Sequence, residues 1–481
     1  MAEFRLSTLD QNAPRVYLRY ALCFACNSRQ HTVISERLQR VAKSLVSEVP
    51  MLAGVVTTNK QQKPTSVTVT PNQIEEFTAT ITHLEGYTQS YQDLCHSGFA
   101  PRHIKDVHLT PLANVLEGNH SPSCAIQANF IDGGLILVIE LHHAVADING
   151  VSTILRLMSE GLPPRIFDHN DLRSEATVVS EARSRLSQGS GAPAFLCLAR
   201  NISQRMEQSR QYQHQQFHPN NRDDTTTVSS NGNPNNPSTC AAIFTFRLDT
   251  LLQVTEMLNS RRTVRSNLNS TTSSPTTTTT TDNLTPREVL IAILWRAYVR
   301  TTNPSTHDND ARTSISFPIN LRPILNPPLN PYYLGNASLP ALANSSLTSL
   351  TTPYNLSTLE QTANIVHSAA SAQSSDLLVR SRISLLNSES PGRDWVPTPQ
   401  LVVHDWSSSM PAMMEGQTMD LGLGLGVPHA VRRVGRGVGG NEVVLLPVNK
   451  RMRTWEVQVE VEESVMRGFV SDGGLRGFLA L

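Results

Sequence analysis

From Gln204 to Ser238 the chain carries a run that cannot build a core of its own, most of it "HQQFHPNNRDDTTTVSSNGNPNNPS". So polar a stretch buries too little apolar surface to offset the entropy of ordering it. The segments on either side must therefore fold around separate cores. A chain of 481 residues agrees with this, since single cores stop growing near about 250–300 residues. A second polar tract, "NSTTSSPTTTTTTDN", interrupts the later part. The expected organisation is a first half over 1–203, a polar crossover over 204–240 and a second half over 241–481. The second half would carry a threonine-rich insertion at about 260–284.

Both halves alternate helical and strand patterns, which predicts the α/β class. In "TVISERLQRVAKSLVSEVP", Ile34, Leu38, Val41 and Leu45 share one helix face; Pro50 stops the helix, and "MLAGVV" reads as a strand. "AIQANFIDGGLILVIELHH" reads as a hairpin that turns at Asp132-Gly133-Gly134. After it, Val151, Ile154, Leu155 and Met158 mark a helix. In "TPREVLIAILWRAYVR", Thr285, Pro286 and Glu288 make an N-cap, a first-turn proline and a capping box, with Leu290, Ile293, Leu294 and Ala297 as the buried stripe. "NEVVLLPV" and "TWEVQVEVE" are strands, the second placing Trp455, Val457, Val459 and Val461 on one face.

Forty basic and forty acidic residues balance, so nothing in the charge favours nucleic acid or an anionic membrane surface. The six cysteines lack framework spacing; Cys23 and Cys26 form a CxxC inside an apolar strand pattern, with no second metal-ligand pair. The first fifteen residues contain no apolar signal core, and no stretch nears the roughly 18 apolar residues of a membrane span. Asn336-Ala337-Ser338 fits a glycosylation signal only formally. The expectation is a reduced, soluble, cytoplasmic protein without a bound metal.

The chemistry-bearing stretch is "ELHHAVADING", where the strand of the hairpin hands over to a helix. Only His143 stands four residues before an aspartate, Asp147. A strand-to-helix junction holds side chains firmly while leaving their tips open to a ligand. On these eleven residues alone, a histidine packed at a strand end is the better explanation of the pattern. "GRGVGG" at 435–440 satisfies Gly-x-Gly-x-x-Gly but precedes a strand, so a hairpin loop is expected there. His103 and His108 fall in no recognisable frame, and Arg432 and Arg433 read as surface charges or as support for the Asp420 segment.

Five ordered segments resemble one family. They are "LSTLDQNAPRVYLRYALCF", "QANFIDGGLILVIELHH", the motif itself, "INLRPILNPPLNPYYLGNAS" and "MDLGLGLGVPHAVR". Together they are similar to the BAHD acyltransferases, in particular the fungal branch that includes trichothecene 3-O-acetyltransferases. The resemblance implies two chloramphenicol-acetyltransferase-like domains, each a mixed sheet flanked by helices, with a channel between them. It also implies a monomer, with acyl-CoA, in the first instance acetyl-CoA, as co-substrate and no permanently bound cofactor. A small metabolite would offer the hydroxyl or amine that attacks the thioester. His143 would be the general base, and its ordinary pKa near 6.5 suits that task. By analogy with triads Asp147 would orient the imidazole; the resemblance instead pairs it with Arg322 as a structural ion pair. Asp420, Gly422 and Gly424 would support the site.

Two departures stand out. Leu421 and Leu423 replace the aromatics of Asp-Phe-Gly-Trp-Gly, where the tryptophan N–H is held to help bind the tetrahedral intermediate. His404-Asp405-Trp406 stands where a Ser or Thr hydroxyl precedes the tryptophan, making His404 and Trp406 candidates for an oxyanion or pocket contact. Two other readings stay open: a condensation-type acyltransferase, and a non-catalytic relative that binds a metabolite or a partner.

Overall fold

The computed structural model describes residues 2–57, 66–87, 89–104, 109–112, 120–160, 239–270, 283–303, 311–388, 399–409, 420–435 and 440–480. His108, the crossover up to residue 238 and the threonine-rich tract from 271 to 282 lie outside the described residues.

The apolar hairpin anchors a five-stranded sheet. Its strands are β2 (Tyr17–Ala25), β5 (Thr80–His83), β7 (Cys124–Ile131), β8 (Gly134–His142) and β13 (Ala430–Arg433), in the order β13-β2-β8-β7-β5. All nine residues of β8 are buried, as expected of an apolar run flanked by a strand on each side. The turn requires glycine twice. Gly133 has φ +74°, and a Cβ at Gly134 would lie 2.1 Å from the Tyr91 ring. A four-stranded sheet beside it contains β1 (Ala2–Arg5), β3 (Val55–Thr57), β4 (Ser66–Val69) and β6 (His120–Pro122). Met51 and Leu52, expected in a strand with Val55, lie instead in a 3-10 turn, Pro50–Ala53. The proline's fixed φ favours that turn.

A six-stranded sheet is built from β9 (Thr239–Arg247), β10 (Arg312–Asn320), β11 (Ser338–Ser346), β12 (Leu401–Asp405), β14 (Glu442–Asn449) and β15 (Thr454–Glu462), in the order β11-β10-β12-β14-β15-β9. The helix Pro286–Thr302 begins with the capping box read from its sequence, Thr285 with Glu288. It is buried from Glu288 to Val299, so the apolar stripe expected of it is too narrow. Arg296 within it loses its solvent and donates instead to the carbonyls of Thr352 (2.6 Å) and Ser349 (3.3 Å). The preceding helix runs Leu248–Ser270, so helical structure enters the expected insertion. Arg261 pairs with Glu360 at 3.1 Å, and Asn259 holds the main chain of Leu284 through both its carbonyl and its amide. These tertiary contacts support a segment whose own composition is polar.

The largest departure from the sequence reading is β13. It lies late in the chain yet pairs antiparallel with β2, Ala430 opposite Cys23 and Arg433 opposite Tyr20. It thereby covers a sheet edge that would otherwise stand open. Residues 436–439 of "GRGVGG" lie outside the described residues, but the strands on either side, β13 and β14, belong to different sheets and do not form the hairpin expected there. Arg432 and Arg433 are neither surface charges nor props for the Asp420 segment, because β13 directs them at the six-stranded sheet. Arg432 is 1% exposed and grips Glu456 at 2.8 and 3.2 Å and the carbonyls of Gly98 and Phe99. Arg433 pairs with Glu442 and Glu460, both buried. Burial raises the Cys23 thiol to about 12 and the Cys26 thiol to about 11, so neither supplies a ready thiolate. Among the described residues no helix is long and apolar enough to cross a membrane.

Replacing Arg433 with Met would take their shared cationic partner from two buried carboxylates, and the expected loss is about 3–5 kcal/mol, read as a lower urea midpoint at pH 7. Burial alone would raise Glu442, but His404 and Arg433 hold it well below the ordinary carboxylate range. A depressed acid contributes stability above its unfolded value of about 4.3 and loses it as pH falls. The gap between wild type and variant should therefore be full at pH 7 and close on acidification below about pH 4.

Candidate active site

Strand pairing fixes the motif from its main chain. His142 N donates to Ser123 O and His143 N to Val16 O, each at 2.9 Å, so the loop leaves β8 with its backbone held on both sides. The two adjacent histidines then part. His142 is 1% exposed, its Nδ1 accepts from Ala144 N at 3.0 Å, and its ring stands edge-on to Tyr17. Burial, then the charges of Arg15 and His143, push its pKa down to about 3, which makes it a neutral structural group. His143 is half-buried, and among the described residues no partner lies within hydrogen-bonding geometry of its Nδ1. Burial pulls its pKa below the ordinary value and His404 adds to this, while its own main-chain carbonyl, Asp147 and Asn336 oppose the shift. The net result is an imidazole that is neutral at pH 7, the form a base requires.

Asp147 does not touch that ring in any hydrogen bond. Its carboxylate takes a two-pronged contact from Arg322, Nη2 to Oδ1 at 2.9 Å and Nη1 to Oδ2 at 3.0 Å. Gly150 N and Ala337 N, both at 3.0 Å, complete its acceptors. Arg322 donates further to the carbonyls of Tyr333 (2.8 Å) and Gly335 (3.0 Å). Both charged side chains are essentially out of solvent, 2% and 3% exposed. A Cβ at Gly150 would lie 2.2 Å from Leu334 O, so glycine is what lets the motif loop and the 333–337 segment meet.

Two side chains without an assigned role complete the loop's support. Asn336, 3% exposed, donates from Nδ2 to His143 O at 2.7 Å. It is itself held by Asp10, whose Oδ1 accepts from Asn336 N (2.8 Å) and Nδ2 (2.9 Å). Their signals were present in the Leu-Asp-Gln and Tyr-x-Gly-Asn stretches, but nothing local reveals that residues 10 and 336 meet.

The remaining candidates divide. In the Asp420 segment, the carboxylate caps the N–H groups of Leu423 (3.0 Å) and Gly424 (2.8 Å), and Gly422 and Gly424 adopt φ +73° and +74°. Leu421 and Leu423 are each 1% exposed within the core of the motif-bearing half, so they fill volume there. Trp406 is likewise buried, stacked on Tyr20 with ring centroids 5.0 Å apart. His404 differs: its side chain is 40% exposed, its Nε2 lies 3.3 Å from Glu442 Oε2, and it acts electrostatically on His143. His103 sits in a 3-10 turn, Pro101–His103, and belongs to none of these contacts.

A family model described as the Transferase family matches residues 1–475. The chain belongs to this family, the BAHD transferases. Among its relatives, Eremophilane O-acetyltransferase prx11 of Penicillium rubens is 32% identical over 163 residues, 32% of this chain and 34% of that one. The match thus spans about a third of that relative's length. Acyltransferase easC of Emericella nidulans is 22% identical over 488 residues, 97% of this chain and 93% of that one. The transferase also shares its fold with F. graminearum TRI101, crystallised with coenzyme A and deoxynivalenol: TM-score 0.74, 17% identity, covering 100% of this chain and 99% of that one. F. sporotrichioides TRI101, crystallised with coenzyme A and T-2, gives TM-score 0.72 at 16% identity, covering 100% and 99%.

In this transferase Arg322→Met should cost about 3–5 kcal/mol by leaving Asp147 buried and unpaired. The double variant Asp147→Leu/Arg322→Met should recover part of that loss, because no stranded charge remains. Urea midpoints of the two variants beside wild type check the order.

Proposed function

We propose that this transferase moves an acyl group, acetyl in the first instance, from coenzyme A to a hydroxyl or amine of a small secondary metabolite. The observation that carries the reading is the division of labour in the motif: His142 is locked and neutral, Asp147 is consumed by Arg322, and His143 is left half-open and neutral. His143 takes the acceptor's proton as its oxygen or nitrogen attacks the thioester carbonyl. The tetrahedral adduct collapses with cleavage of the C–S bond, and the imidazolium returns the proton to the departing thiolate. Transfer is direct, so no nucleophilic serine or cysteine is needed. His404, which acts electrostatically on His143 and is backed by Glu442, is the residue we assign as the polar contact for the carbonyl oxygen as it gains charge.

The coenzyme A in the TRI101 crystals and the O-acetyltransferase name of the Penicillium relative support the donor and the reaction class. One chain supplies the base from the motif loop and His404 from the six-stranded sheet, which supports a monomer as the working unit.

His143→Ala should lower kcat for thiol release from acetyl-CoA by about 10²–10⁴-fold and leave the urea midpoint close to wild type. A panel of hydroxylated sesquiterpenes serves as acceptor. Equal release by both proteins would remove His143 from the mechanism. Because the His143 pKa is lowered, its base form is already dominant at pH 7. The kcat/KM profile should be flat from pH 7 upward and decline only on acidification, through a midpoint below about 6.5. A limb centred above that value would contradict the assignment.

A further inference from the structure

Holding a base in place requires more than the hydrogen bonds of its own strand, and the 333–337 segment reaches the motif from outside it. Asn336 is the residue at which the two meet. Its amide has two hydrogens and two acceptors within reach, Asp10 Oδ1 at 2.9 Å and His143 O at 2.7 Å. Flipping the amide would set its oxygen against both acceptors, so the orientation is determined by the surroundings. Asp10 is itself fixed, because its Oδ2 accepts from Ser7 N (2.9 Å) and Ser7 Oγ (2.8 Å) at the start of the helix Thr8–Asn12. The residues on either side of Asn336 are also held, Gly335 O by Arg322 and Ala337 N by Asp147.

We propose that Asn336, anchored by Asp10, is the positioning residue for His143, fixing the base's main-chain carbonyl and thereby the aim of its ring. The proposal rests on His143 being the base. The carbonyl that Asn336 grips belongs to His143 itself, and both it and Asn336 favour the protonated imidazole. Asn336 therefore acts at the moment when His143 has taken the acceptor's proton and carries a positive charge. The charged and titratable groups around His143 are Asp147 on its own loop, His142 at the end of β8, His404 on β12 and, behind Asn336, Asp10. Asp147 is held by Arg322, so Asn336 is the support that bears on the ring while remaining outside that ion pair.

Asn336→Ala in the full chain should lower kcat for thiol release from acetyl-CoA by about 10–100-fold, with KM for acetyl-CoA changed less than about twofold. Placed on His143→Ala it should lower the residual rate no further, since its effect runs through the base. Asp10→Asn, which keeps the shape and removes the charge, should show the same split to a smaller extent. If Asn336→Ala does not accumulate as folded protein, Asn336→Ser is read in its place. An unchanged kcat, a matching rise in KM, or a further loss on the His143→Ala background would each overturn the proposal.

A second readout needs no acceptor and separates this inference from the reaction itself. Diethyl pyrocarbonate modifies neutral imidazole, and mass spectrometry of the peptide containing residue 143 gives the rate at each pH. Removing a group that favours the protonated ring should move the midpoint for His143 to lower pH. An unmoved midpoint counts against Asn336 whatever the activity. A wild type that releases no thiol while the midpoint does move would count against the acyl-transfer reading alone.

Discussion

The ion pair between Arg322 and Asp147 fixes where the active centre can be. Each charge gives up several kcal/mol of hydration on burial, and attraction offsets this only when every remaining donor and acceptor is filled. Here they are filled, by Gly150 N and Ala337 N on the carboxylate and by the carbonyls of Tyr333 and Gly335 on the guanidinium. Such a network tolerates one arrangement of its parts. It sets a segment from late in the chain against the loop that leaves β8, to within the close approach that Gly150 permits. The position of His143, four residues from Asp147, follows from that constraint.

The six-stranded sheet shows how a polar face can be buried beside this junction. Its alternation sends Leu401, Val403, Val443, Leu445, Val457 and Val459 into the core covered by the helix Pro286–Thr302. The other face carries His404, Glu442, Gln458 and Glu460. Three of these lie within reach of β13: Arg433 satisfies both glutamates, and its main chain N–H meets Gln458 at 3.4 Å. Glu442 is then shared between the arginine that joins the two sheets and His404, which acts electrostatically on His143.

What was legible in the sequence was what local physics specifies. The β7–β8 hairpin declared itself through its Asp-Gly-Gly turn and unbroken apolar run, and the helix at Pro286 through its capping box. The Arg322–Asp147 pairing was accessible only through family resemblance. β13 was not legible, because four residues that pair with a strand some four hundred positions earlier leave no local periodicity. The roles of Arg432 and Arg433 were hidden for the same reason. The last turns of the helix Leu248–Ser270 were assigned to the insertion expected at about 260–284, because their polar sequence gives no stripe, while their support comes from Glu360 and Leu284.

The Asp420 segment separates two kinds of residue that a motif treats alike. Asp420 caps two main-chain N–H groups, and Gly422 and Gly424 hold positive φ. A Cβ at Gly424 would lie 2.0 Å from the Arg37 guanidinium, which itself donates to Leu423 O at 3.0 Å. These residues determine the path of the backbone, and this chain has all three. Leu421 and Leu423 determine only what fills the space beneath it, between the helices His31–Glu48 and Ile148–Glu160, where Val41 and Met158 O lie against Gly422. Leucine fills such a space with no polar atom to satisfy. Exchanging aromatic rings for leucine at these buried positions therefore alters packing, and leaves His143, its contact with Asn336 and the buried ion pair as they are.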